Sequence, residues 1–178
     1  MRRPGRLRVG CLALLAGSLL LGACAGNQGG SSAQSSRERA ARFKQPAGLV
    51  PETIVIGIEP PEDRNGNGFA DTIRVVTYVF GDPNVFPLPM VVDANFQFRL
   101  VDAEGRSIGV WAFPPNQVAR AVFTTQPGPA FGFELDINAV GTDRLPTQAA
   151  RLTCEINTVD GVRVLTRDAL EVRIGGRM

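Results

Sequence analysis

The stretch EDRNGNGFAD, Glu62 to Asp71, concentrates oxygen-bearing side chains in a sequence otherwise short of reactive groups. Counting Asp63 as position 1, oxygen side chains fall at positions 1, 3, 5 and 9: Asp63, Asn65, Asn67 and Asp71. Gly68 stands at position 6, and position 7 offers the carbonyl of Phe69. A hard cation such as Ca²⁺ takes about six to eight oxygen ligands, and a glycine permits the chain to wrap sharply around it. The same residues also read as a turn, because Asn65-Gly66 and Asn67-Gly68 both favour positive φ, with Asp63 and Asp71 capping the strand ends. Metal loop and plain turn are both open on the sequence.

The spacing is similar to the D-x-N-x-[DN]-G-x-x-D loops of the EF-hand, dockerin and thrombospondin type-3 families. That resemblance implies Ca²⁺ held by Asp63, Asn65, Asn67, Asp71 and the Phe69 carbonyl. It covers the loop and not those families' folds, since no helix is expected on either side. Arg74 occupies position 12, where the EF-hand places a bidentate acid. With two carboxylates opposed by Arg64 and Arg74, affinity would be weak, on the order of 10⁻⁴–10⁻³ M, unless Glu59 or Glu62 folds back to add a third.

Other chemistry is sparse. There is no histidine, Lys44 is the only lysine, and Ser107 is the only serine after Ser36. Nucleophile schemes built on serine–histidine, cysteine–histidine or lysine therefore lack their parts. Glu134 and Asp136 sit two apart on an expected strand, sharing a face at ~7 Å, a separation near that of paired-carboxylate glycosidases. Such a pair is ordinary on a solvated sheet face. Trp111 and Phe113, with Phe86 from a proline-rich turn, would stack on a sugar ring if exposed together, and are core if buried.

The chain opens MRRPGRLRVGCLALLAGSLLLGACAG, with Arg2, Arg3, Arg6 and Arg8 ahead of an apolar run ending in small residues. This is an export signal, and the run is too short for a membrane span of ~20 residues. Leu21-Gly22-Ala23-Cys24 resembles the lipobox of bacterial lipoproteins. The resemblance implies cleavage before Cys24, acylation of its thiol and stable membrane anchoring, each buried CH₂ contributing ~0.8 kcal/mol. Ala25, where the enteric version of the family uses Asp to retain proteins in the inner membrane, implies the outer membrane.

The formal charge is +2, from 19 basic and 17 acidic residues. Removing the four arginines of residues 1–23 leaves 15 against 17, formally −2. The mature chain thus lacks the basic footprint of a nucleic-acid binder. On the lipoprotein resemblance Cys11 would leave with the signal and Cys24 would be acylated, so Cys154 would stand alone. It shares a period-two face with Ala150, Leu152 and Ile156 and reads as a small buried hydrophobe.

Residues 24–48 are rich in Gly, Ser, Gln and charge, and read as a solvated tether of ~25–30 Å average reach. RERAARFK, residues 37–44, also offers a turn or two of helix against the domain. From 49 to 175 the pattern is strand after strand: Thr53–Ile58, Thr72–Phe80, Ala94–Leu100, Ser107–Phe113, Phe131–Ile137, Ala150–Thr158, Val162–Thr166 and Ala169–Ile174. One short helix is expected at Pro115–Ala121, with proline at its start. About eight strands punctuated by Gly, Pro, Asn and Asp predict an all-β, two-layer antiparallel sandwich, immunoglobulin-like or related. Together these features predict a non-catalytic, lipid-anchored envelope module, structural or protein-binding, with a glycan binder and a carboxylate-dependent hydrolase as the alternatives.

Overall fold

The computed structural model describes residues 45–146 and 148–176; Cys24 and most of the expected tether lie outside the described residues. Among the described residues, nine strands and one helix follow in order. They are β1 (Thr53–Ile58), β2 (Thr72–Phe80), β3 (Ala94–Val101), β4 (Ser107–Phe113), α1 (Pro115–Ala121), β5 (Val122–Thr124), β6 (Pro129–Asp136), β7 (Gln148–Thr158), β8 (Arg163–Leu165) and β9 (Leu170–Ile174). One antiparallel sheet has the order β1-β2-β6-β5. The other runs β4-β3-β7, with β8 and β9 both lying along the far edge of β7. The fold is an all-β sandwich, as the alternating sequence predicts. The addition is β5, whose three half-buried residues are too short to show a period.

The alternation decides which faces meet. Phe96, Phe98 and Leu100 of β3 are fully buried, whereas on the alternate face Asn95 and Arg99 are exposed and Gln97 is half-buried. Phe131, Phe133 and Leu135 of β6 face them from the other sheet. Phe133 is the hub, with ring centroids 5.2 Å from Phe96, 5.0 Å from Phe98 and 4.7 Å from Phe113. Tilted rings at such separations add to the area they bury. Helix α1 inserts Val118, 1% exposed, into the same core. Its first turn starts with Pro115, whose missing N–H costs nothing there.

The registers set the two ends of the sandwich. Thr53 pairs with Phe80 and Ala94 with Thr158, which brings residues 45–52, 81–93 and 158–162 to one end. Gln45 fixes the incoming chain there: its side chain donates to the Val91 carbonyl at 3.0 Å and accepts from the Val91 N–H at 2.9 Å. A side-chain amide thus copies a strand partner, four residues ahead of Leu49. Thr72 pairs with Asp136, so residues 59–71 and 137–146 gather at the opposite end. The loop carrying the candidate chemistry therefore lies at the far end of β1 from the incoming chain.

Candidate functional site

The loop between β1 and β2 closes at Glu62 and Thr72, which form an isolated bridge. Its two aspartates organise the backbone. Asp63 accepts from the N–H groups of Gly66, Asn67 and Gly68 at 2.8, 3.2 and 2.6 Å. Asp71, 3% exposed, accepts from the N–H groups of Arg64 and Asn65 and from the Thr72 hydroxyl. The asparagines make successive Asx turns, Asn65 Oδ1 accepting from the Asn67 N–H and Asn67 Oδ1 from the Phe69 N–H. Gly66 and Gly68 supply the positive φ values this requires, 73° and 88°.

The structure adds a residue that sequence spacing did not show. Asp143, only 4% exposed, reaches the loop from the segment after β6. Its Oδ2 accepts from the amides of Asn67 at 2.7 Å, Asn65 at 2.9 Å and Asn138 at 3.2 Å. These bonds hold the Asp143 carboxyl below its usual pKa, Asn65 and Asn67 contributing most. For Asp71, burial pushes upward, but the Thr72 hydroxyl and the two backbone N–H groups outweigh it and the group also sits low. Both carboxylates are ionised at neutral pH.

The other acids near the loop face elsewhere. Glu59 and Glu62 do not fold back to complete it; both pair with Arg74, at 3.4 and 3.0 Å. Arg64 is turned outward onto Glu134 at 2.6 Å. The two arginines expected to oppose a cation are thus matched by carboxylates of their own. Among the described residues, no three acidic, cysteine or histidine side chains already converge closely enough to hold a metal. Asp63, Asn65, Asn67 and Asp71 share one loop, and Asp143 joins it through the side-chain amides of Asn65 and Asn67.

The remaining candidates are placed less favourably. Glu134 and Asp136 both lie on the outer face of β6, as expected. The Arg64 bond lowers the Glu134 pKa, which opposes a general-acid role. Asp136 accepts from the Asn138 N–H, capping the strand end. Of the two readings open for the aromatic residues, the burial of Trp111 favours core over an exposed platform. Trp111 is 7% exposed and donates its Nε1–H to the Asp136 carbonyl, and Phe113 stacks in the core. The Trp111 ring lies across Gly109, where a Cβ would come within 2.5 Å of it, so glycine there makes room for the indole. Phe86 stands apart, half-buried in the loop after β2. Cys154 is buried, and burial pushes its thiol pKa far up, leaving it unreactive.

No protein-family model matches the chain. No curated protein matches it in sequence. Among solved structures, it is similar to the β-glucuronidase of Bifidobacterium dentium complexed with coumarin-3-O-glucuronide, at 13% identity and a TM-score of 0.31. That similarity covers 70% of this chain, which spans only 17% of the glucuronidase's length. It is also similar to a copper-bound variant of P19 from Campylobacter jejuni, at 13% identity and a TM-score of 0.37 over 74% of this chain and 97% of that one.

Proposed function

We propose that the protein is a lipid-anchored, non-catalytic module of the bacterial cell envelope, facing the periplasm or the cell surface in a structural or protein-binding role. The observation that carries this reading is the Leu21-Gly22-Ala23-Cys24 sequence after a basic, apolar export signal. The inert Cys154, the absence of histidine and the ion-paired Glu134 all support a binding rather than a catalytic role. Detergent partitioning of the wild type and Cys24→Ala tests the anchor: the variant is expected to lose membrane association, and equal partitioning would end the reading. Cross-linking in intact envelopes, followed by pull-down of the lipoprotein, then identifies the partner.

A second reading concerns the loop, and Asp143 is what favours it. We propose that Ca²⁺ binds among Asp63, Asn65, Asn67, Asp71 and Asp143, with the Phe69 carbonyl as a further oxygen. Asp143 supplies the third carboxylate that the motif lacks. Asp63 Oδ2, Asp71 Oδ2, Asn65 Oδ1 and Asn67 Oδ1 each accept a single N–H bond and keep a lone pair for a cation, whereas Asp143 Oδ2 already takes three amides and would have to release one or bind through Oδ1. Binding requires Asp63 to close toward Asp71 and Asp143, which agrees with a weak site, on the order of 10⁻⁴–10⁻³ M. Millimolar Ca²⁺ should raise the melting temperature, and Asp63→Ala or Asp143→Ala should abolish the rise. Mg²⁺ should not substitute, because it demands a tighter octahedron. Melting that ignores both 10 mM Ca²⁺ and chelator, a concentration about ten to a hundred times the expected dissociation constant, would leave a hydrogen-bonded turn only.

A further inference from the structure

The end of the sandwich where the chain enters has an unusual surface. Residues 45–52, 81–93 and 158–162 carry Glu52, Asp82, Asp93 and Asp160 and no arginine or lysine. Asp93 and Asp160 are exposed on the rim of a crevice of about 290 Å³. Its walls are apolar, built by Leu49, Val50, Val91, Val159 and Val162, with Gln45 at its edge. Val159 is 64% exposed and Val50 52%, the kind of uncovered apolar surface that a small sandwich normally hides. Arg163, which follows Val162, is engaged by Glu155 at 2.7 Å.

The chain itself supplies the complement. Residues 37–44, RERAARFK, carry Arg37, Arg39, Arg42 and Lys44 against one acid, Glu38. Phe43 is the only large apolar side chain between Ala25 and Lys44. It precedes Gln45 by two residues, so its backbone starts within ~7 Å of a residue held at the crevice edge. We infer that residues 37–44 fold back on this end, Phe43 filling the crevice between Val91 and Val159 while Arg42 and Lys44 face Asp93 and Asp160. The segment is tethered at its docking site, so its effective concentration is high and a modest contact suffices. Docking would leave residues 25–36 as the free spacer, with an average reach of ~17–21 Å rather than ~25–30 Å. The proximal end would then be sealed, and the opposite end held closer to the anchor.

The test uses the full-length, lipidated protein in vesicles, with Phe43 replaced by the photo-crosslinker p-benzoylphenylalanine. Intrachain products mapping to residues 90–93 or 158–162 are expected. Products joined to lipid or to a second copy, or scattered over the domain, would overturn the proposal. A second measurement follows tryptic cleavage of the otherwise unmodified protein. Cleavage after Arg42 and Lys44 should quicken several-fold in the Asp93→Asn/Asp160→Asn variant and in 1 M salt, where screening acts within ~3 Å. Rates that neither change alters would likewise overturn it. The tryptic readout repeated on the unacylated Cys24→Ala protein is expected to give the same acceleration, so loss of the anchor reading leaves this one separately decided.

Discussion

Asn67 Nδ2 lies 2.7 Å from Asp143 Oδ2, joining two loops whose residues stand 76 positions apart. With Asn65 and Asn138 on the same oxygen, one buried carboxylate fastens the β1–β2 loop to the segment following β6. Asn67→Ala and Asp143→Ala should each lower the melting temperature in calcium-free buffer. Because both remove the same bond, the double variant should lose less than the sum of the two. Strictly additive losses in thermal unfolding would mean that the contact carries no coupling.

The aromatic hub sets the largest expected costs. Phe98→Ala and Phe133→Ala each empty a packed position and should destabilise by about 3–5 kcal/mol in urea unfolding. Gln97→Ala, on the outer face of the same strand, should cost under about 0.5 kcal/mol. Comparable small losses at all three positions would contradict the packing of β3 against β6.

The fold was largely legible because it rests on period two. Phe96, Phe98 and Leu100 alternate with Asn95, Gln97 and Arg99, and no other register puts all three aromatic and aliphatic side chains inside. The helix at Pro115–Ala121 was legible from its proline start and the apolar residues behind it. Asp143 was not legible. It lies in GTDRLP, a loop without periodicity, 72 residues beyond Asp71, and only sheet topology makes them neighbours. Glu134 was read as half of a carboxylate pair because spacing along one strand reveals nothing of Arg64, which arrives from another loop. The side chains of Trp111 and Phe113 pointed to one face, as expected, but sequence alone did not decide whether that face was wet.

Acid should unfold the domain through its depressed carboxylates. Asp71, Asp143, Glu134 and Glu155 all have pKa values below their ordinary range. A carboxylate held low in the native state stabilises it above the unfolded value, about 4, and loses that contribution as pH falls through the native value. Melting temperature should therefore be level near neutrality and fall below about pH 4. In Asp143→Ala the fall should be shallower, and an unchanged acid profile would remove Asp143 from the account.

Cys154 provides an internal probe of opening. At 1% exposure, with its pKa raised, the thiol should resist a water-soluble disulfide reagent in the native state and react fully in denaturant. Its exposed, ionising form belongs to the unfolded chain, so stability should also decline as pH rises past about 8.5. Rapid native reaction would place β7 at a solvent-accessible edge, against the register found here.

Trp111 should emit at short wavelength and be poorly quenched by acrylamide, since its indole is buried and its N–H is bonded to the Asp136 carbonyl. Strong quenching, reduced by an oligosaccharide, would restore the sugar-stacking alternative.

The placement of Gln45 and the 63–71 loop at opposite ends of β1 has a mechanical side. A pull on the loop reaches the incoming chain along one covalent strand rather than through the ladder beside it. A strand rises about 3.3 Å per residue, against a limit near 3.6 Å, so little slack remains to be drawn out. Tension between a partner at the loop and the chain at Gln45 would be carried by Thr53–Ile58, with the aromatic core lying beside the line of force instead of across it.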